Sequence, residues 1–368
     1  MRPFDTKAFE PAISWARKHE RKISALSLAG GFAFDSLTFG RIDHALTQAV
    51  FIVYLLAAGI SIAVLHTLES RPDGKKPSDK TRTVLVAVTQ FALGCLLSGF
   101  CVFYIRSASV TSSWPFLLAM LAIFVGNEYM RRYHARLVFS ALLFFFSLYS
   151  YAIFLVPVVL GRIGRIPFLM SGILAMVLFF FYMQALARLG HERYRGARMQ
   201  VFAGMVLISV LLNLAYFLRV LPPLPLVLTD AGVYHDVSRD GANFQAAAEE
   251  EPPEWESLFG TRPILHVQPG AKLYLYNAVF APRGLRTRIV HDWLWLQPGK
   301  GWQSQQRVPV EITGGREDGF RFYSTKTSPR PGQWQVNILT GDGRSVGHVR
   351  FAVEQQAVPP ATASKILK

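Results

Sequence analysis

The sequence predicts a membrane all-α bundle of about seven transmembrane helices followed by a soluble all-β immunoglobulin-like sandwich. Long apolar runs without charges fill the first part of the chain, and short alternating runs bounded by turn residues fill the last. Between them lies Asn213 to Leu228, where Pro222, Pro223 and Pro225 have a fixed φ and no N–H to donate, so a helix arriving there cannot continue. The boundaries that follow are 1–22 for a cytoplasmic amphipathic segment, 23–220 for the helices and 221–263 for a proline-rich junction and linker. A periplasmic β domain over 264–355 and a tail over 356–368 complete the chain.

With 51% hydrophobic residues and a mean hydropathy of +0.26, the 368-residue chain is too apolar for a wholly water-soluble protein. Its net charge of +15 resides in the helical part: residues 1–228 hold 23 Lys and Arg against 10 Asp and Glu, and the remainder holds 16 against 14. A nucleic-acid surface would need the excess on the folded domain, so no nucleic-acid partner is expected. Membrane lipid is the expected partner instead, with an envelope protein or a glycan for the β part. No cofactor is expected, and no spacing of His, Cys and carboxylates suggests a metal. Cys95 and Cys101, six residues apart in one helical segment, are too far apart to bridge.

Residues 1–22 mix Phe4, Phe9, Ile13 and Trp15 with six basic residues, a pattern suited to an anionic membrane surface. A cleaved leader is disfavoured by Asp35 in the next apolar run. The spans are expected over 23–40, 45–65, 84–105, 107–127, 137–161, 166–187 and 199–218. The first is short and broken by Asp35, so six crossings are the alternative. With a cytoplasmic N-terminus, eighteen Lys and Arg flank the spans inside and five outside, which sends the C-terminal part to the periplasm of a bacterial inner membrane.

Polar groups within spans are costly and mark the places to look for function. Asp35, Arg41, Asp43 and Arg106 fall on one expected side. An ion pair between Asp35 and Arg41 or Arg106 that fixes packing is the plainer reading, and a substrate or proton site the other. Asn127, Glu128 and Arg132 form a second group. Its E-x-x-x-R spacing is similar to one motif of the intramembrane CAAX-type proteases, although Asn127 stands where those have a second glutamate, and an i,i+4 pair accounts for it more simply. His66, His134 and His191 sit at expected cytoplasmic ends, where interfacial placement explains them.

From Ile264 seven runs alternate with period two: ILHVQ, KLYLYNAVF, LRTRIVHDWLWL, QRVPVEI, GFRFYS, QWQVNIL and SVGHVRFAV. Gly341 to Gly343 should form the hairpin turn between the last two. In the third run His291, Trp293 and Trp295 share one face. Trp293 and Trp334 are expected in the core, with His291 and Trp295 as the candidate binding face. No nucleophile motif and no phosphate loop occurs, so no catalytic residue is assigned.

The chain resembles a bacterial membrane-protein family named for its C-terminal domain of unknown function 2914. Tyr216-Phe217, Pro222-Pro223-Leu224-Pro225-Leu226, Gly232-Val233-Tyr234-His235, His291-Asp292-Trp293, Arg321-Phe322-Tyr323-Ser324 and Gly332-Gln333-Trp334-Gln335-Val336 carry the likeness. Gly31-Phe32 with Asp35, Arg41 and Asp43, and Tyr104 to Ser109, extend it into the spans. The resemblance implies a multi-span inner-membrane protein with an exported β domain and brings no activity with it. Two functions therefore stand open: a scaffold or accessory subunit whose β domain binds an envelope partner, and a membrane enzyme or carrier for a lipid-linked substrate.

Overall fold

A computed structural model of the protein describes residues 32, 33, 35, 36, 44–70, 76–107, 110–130, 133, 134, 136–189, 191–241, 243–249, 262–316 and 319–367. Among these, six helices come first: α1 (Ala45–Glu69), α2 (Asp79–Ser107), α3 (Val110–Tyr129), α4 (Leu137–Leu160), α5 (Arg165–Leu189) and α6 (His191–Phe217). Among the described residues, five stretches are long and apolar enough to cross a membrane, namely Ala45–Glu69, Asp79–Ser107, Leu137–Leu160, Arg165–Arg188 and Gly196–Phe217. The expected first span lies outside the described residues except for Phe32, Ala33, Asp35 and Ser36, which are helical.

The fold divides into two compact units. One takes α1, the N-terminal parts of α2, α4 and α6 and the C-terminal parts of α3 and α5. Its interior is aromatic and close-packed: Phe51 meets Phe100, Phe145 meets Phe179, and the Tyr182 hydroxyl donates to the Gly59 carbonyl at 2.9 Å. The other takes Phe103–Leu117, Tyr149–Met176 and Leu207–Lys368, so the remaining helix ends share a unit with the chain that follows α6.

Helix α6 stops where the prolines require it. The Arg219 N–H returns to the Tyr216 carbonyl and the Val220 N–H to the Ala215 carbonyl, the paired bonds of a Schellman end. Arg219 takes the left-handed φ of +62° that such an end demands, a position where glycine is the usual residue.

Eleven strands then follow among the described residues: β1 (Val227–Tyr234), β2 (Asp236–Asp240), β3 (Asn243–Ala248), β4 (Ile264–Val267), β5 (Lys272–Phe280), β6 (Arg286–Gln297), β7 (Gly301–Thr313), β8 (Phe320–Thr327), β9 (Gly332–Thr340), β10 (Ser345–Gln355) and β11 (Ala363–Leu367). The seven expected runs are β4 to β10. The stretch expected as linker holds β1, β2 and β3, and the expected tail holds β11. Strand order is β1-β5-β8 in one sheet, β4-β10-β9-β6-β7 in a second and β11-β3-β2 in a third. All neighbours are antiparallel except β4 and β10.

Period two explains how β5 serves two cores at once. Leu273, Leu275 and Val279 turn toward the five-stranded sheet and join Ile289, Trp293, Trp334, Val336, Ile338 and Phe351. Tyr274 and Tyr276 turn the other way and meet Phe244, Ala246, Ala248 and Leu367 of the third sheet. The last hairpin pairs Trp334 with Phe351 and Val336 with Val349, and Gly343 takes the positive φ of the turn at +82°.

Candidate functional site

Of the four residues expected to form a polar cluster in the membrane, Asp35 and Arg106 are among the described residues. Asp35 is half-buried on a helical turn, with Ser98, Cys95 and Tyr54 as its polar neighbours. Arg41 and Asp43 lie outside the described residues. Arg106 ends α2 at an exposed position in the other compact unit.

Asn127 and Glu128 both meet α2. Asn127, buried, donates through Nδ2 to the Gln90 carbonyl at 3.3 Å, while the Gln90 amide donates to the Glu128 carboxylate at 3.2 Å. Arg132, the expected partner of Glu128, lies outside the described residues. His134 is buried against Phe139, with Nε2 at 3.4 Å from the Asn127 carbonyl, and burial holds its pKa below the ordinary histidine value. His66 is likewise buried, in the last turn of α1.

In the β part, His291 is a core residue and not part of a binding face. It is 0% exposed, stacks on Phe322 at 4.7 Å and shares the Ser324 hydroxyl with the Trp293 indole N–H, at 2.8 and 3.0 Å. Burial alone pushes its pKa down to about 3, so the ring is neutral at any physiological pH. The period-two argument placed His291, Trp293 and Trp295 on one face correctly but left open whether that face looked inward. Trp295 is half-buried at the rim of this core. Its N–H donates to the Pro331 carbonyl at 3.1 Å and Arg330 covers its ring at 5.5 Å. Asn277 also points inward from β5, fully buried, and neither atom of its amide has a partner among the described residues.

A polar group that the sequence reading missed lies where α4, α5 and α6 end. Ile153 and Pro157 of α4, Phe168 of α5 and Tyr216 of α6 wall a narrow cleft, closed by Leu221, Pro222 and Leu224 of the junction and by Arg344 from the β9–β10 turn. Arg344 is 4% exposed. Its guanidinium lies over the Tyr216 ring at 4.6 Å and donates through Nε to Asp342 at 3.0 Å. Tyr216 is itself stacked on Phe168 at 3.8 Å. Asp342 receives the Thr340 hydroxyl at 2.5 Å on one oxygen and the Tyr216 hydroxyl at 3.4 Å beside Arg344 on the other. Two further arginines approach: the Arg219 guanidinium packs so closely on Gly343 that a Cβ there would sit 3.2 Å from Nη1, and Arg165 at the start of α5 acts electrostatically on the Tyr216 phenol. One arginine therefore pairs with this carboxylate and two more lie in its neighbourhood. The sequence signals that could have found this place are Arg219 at a helix end that calls for glycine, and an aspartate within a Gly-x-Gly turn.

The same end is tied to the β part by backbone and side-chain bonds. The Arg286 N–H donates to the Gly161 carbonyl at 2.9 Å, Arg162 and Arg286 form a parallel bridge, and the Ser107 hydroxyl donates to the Leu226 carbonyl.

Residues 286–353, from β6 through most of β10, match the family model described as protein of unknown function (DUF2914), so the resemblance read from the sequence holds for this C-terminal region. No curated protein matches the chain. Among solved structures, the Pseudomonas fluorescens alkylpurine DNA glycosylase AlkC bound to DNA containing an abasic site analog aligns with 83% of this chain and 99% of its own, at 9% identity and a TM-score of 0.19. That score carries no argument about fold or function.

Proposed function

We propose that the chain is a seven-span bacterial inner-membrane protein, N-terminus in the cytoplasm, that carries an immunoglobulin-like sandwich in the periplasm and there binds an envelope protein or glycan as a scaffold or accessory subunit. The observation that carries the orientation is the division of helix ends. Those grouped with the β part hold few basic residues, among them Arg106, Arg162, Arg165 and Arg219, whereas Lys76, Lys80, Arg82, Arg136, Arg188 and Arg198 belong to the other unit. Support for an immunoglobulin-like arrangement comes from the parallel β4–β10 pairing at one edge of the five-stranded sheet and from the buried Trp293 of β6 packed against the opposite sheet. The 13-residue edge strand β7, exposed and rich in Gln303, Ser304, Gln305 and Gln306, offers a partner both unpaired backbone and side-chain amides. The arginine-lined cleft favours the second reading, a carrier or enzyme for a lipid-linked substrate at the outer leaflet.

A reporter joined after Lys368 tests the orientation. Alkaline phosphatase there is expected to be active and a fluorescent protein dark when exported unfolded. An inactive phosphatase with a glowing fluorescent protein would place the β part in the cytoplasm and favour six crossings.

A further inference from the structure

We propose that the cleft beside the β9–β10 turn binds the phosphate group of an anionic membrane phospholipid, gripped by Arg344 with help from Arg219 and Arg165; this rests on the membrane reading of the helices. Buried guanidinium groups need acceptors for their donors. Arg344 uses Nε on Asp342, and among the described residues neither of its terminal nitrogens has an acceptor, although the side chain lines the cleft. Asp342 takes only Nε from Arg344, its two oxygens being shared with the Thr340 and Tyr216 hydroxyls. Arg344, Arg219 and Arg165 bring three positive charges to this place against the one negative charge of Asp342. A planar guanidinium with two free nitrogens suits two phosphate oxygens.

The surroundings select the source of that phosphate. The cleft walls are apolar, through Ile153, Pro157, Phe168, Leu221 and Leu224, which suits a headgroup continuing into acyl chain better than a free ion in water. Exposed apolar side chains flank both outer arginines: Ile166 stands next to Arg165, and Phe217 and Leu218 precede Arg219. The cleft has room for little more than a water molecule, so the phosphate would sit at its mouth while the chains lie along these exposed side chains. Arg219 adds an independent sign. Its left-handed backbone costs an arginine more than a glycine, and its guanidinium is the one thing a glycine there could not provide.

The test uses the full chain, purified in detergent, stripped of lipid and exposed to phosphatidylglycerol or phosphatidylcholine, with bound lipid counted by native mass spectrometry. Phosphatidylglycerol should be retained about tenfold over phosphatidylcholine. The double variant Arg165→Gln/Arg219→Gln, at exposed positions, should lose most of that preference while keeping its melting temperature. Arg344→Lys should lose it too, because one ammonium cannot replace the fork. Equal retention of the two lipids, or full preference in both variants, would overturn the proposal. Displacement of bound lipid by millimolar inorganic phosphate would also overturn it, in favour of free phosphate. These results are independent of the reporter fusion, since a correctly oriented protein can still lack the lipid preference.

Discussion

The helical and β parts of this chain are packed in opposite senses. In the helices the surface is apolar, with Phe180, Phe181, Leu207 and Val210 exposed, while Ser140, Ser147, Ser150 and Ser171 are fully buried. In the β part the large apolar groups are inside, Trp293, Trp334 and Phe351 among them, and the edge strand β7 shows water its amides and charges. Each arrangement is stable only in its own solvent. Small polar residues on packed faces let helices approach where lipid gives apolar burial no advantage, whereas a β core needs that advantage to form. The contrast is physical evidence for membrane association that owes nothing to hydropathy averages along the chain.

Substitutions that attack each side of the contrast should rank by how much burial they disturb. Trp334→Ala removes an indole that is 1% exposed and donates to the Arg330 carbonyl at 2.8 Å, so it should cost the β part about 3–5 kcal/mol, read as a lower midpoint in denaturant titration of the purified chain. An unchanged midpoint would remove Trp334 from the energetic core. Val177→Arg, in mid-α5 and exposed, should cost about 2.5–3.5 kcal/mol if that surface meets lipid, and show as lost accumulation in membranes. Gln305→Arg, equally open on β7, should accumulate normally. If both arginines are tolerated alike, the surfaces face one solvent and the contrast fails.

Acid probes the β core through His291. Its folded pKa of about 3 lies below the value near 6.5 expected when unfolded, so the unfolded chain takes the proton first. Stability should be fully present above pH 6.5 and fall by about 1 kcal/mol per unit as the pH drops toward 3. Tryptophan fluorescence of the neighbouring Trp293 follows the transition, and His291→Gln should flatten the slope. The smallest effect is expected at the surface: Arg288 and Glu311 pair at 3.0 Å across β6 and β7 with Glu311 80% exposed, so Glu311→Ala should change the denaturation midpoint by less than about 1 kcal/mol. A larger loss would mean that β7 is not an open edge.

Helices and the later strands were legible because their periods are strong and local. Strands β1 to β3 were not. Asp230, Gly232 and three consecutive alanines have weak strand preference, and their pairing comes from distant partners, β1 on β5 and Phe244 against Tyr276. The acidic, proline-bearing residues that follow made the whole stretch read as linker. His291 shows a different shortfall. Alternation fixed its side of the strand, but inward and outward are decided by the second sheet, which no local pattern contains. The arginine cleft lay furthest from reach, since Tyr216 and Asp342 are 126 positions apart in sequence. The polar neighbours of Asp35 are distant in the same way: Tyr54 comes from α1, and Cys95 and Ser98 from α2.

The bonds between Gly161 and Arg286 and between Ser107 and Leu226 change how the β part can respond to load. A domain hung from one strand of chain swivels, and a tug on it dissipates in the linker. Here the α4–α5 loop and the end of α2 act as second and third struts beside the covalent connection through Val220 to Leu226. Torque applied at the far edge, on β7, passes through β6 to Arg286 and from there to the loop joining two apolar helices. Leverage on the β part is thereby delivered to the helix ends that enclose Arg344.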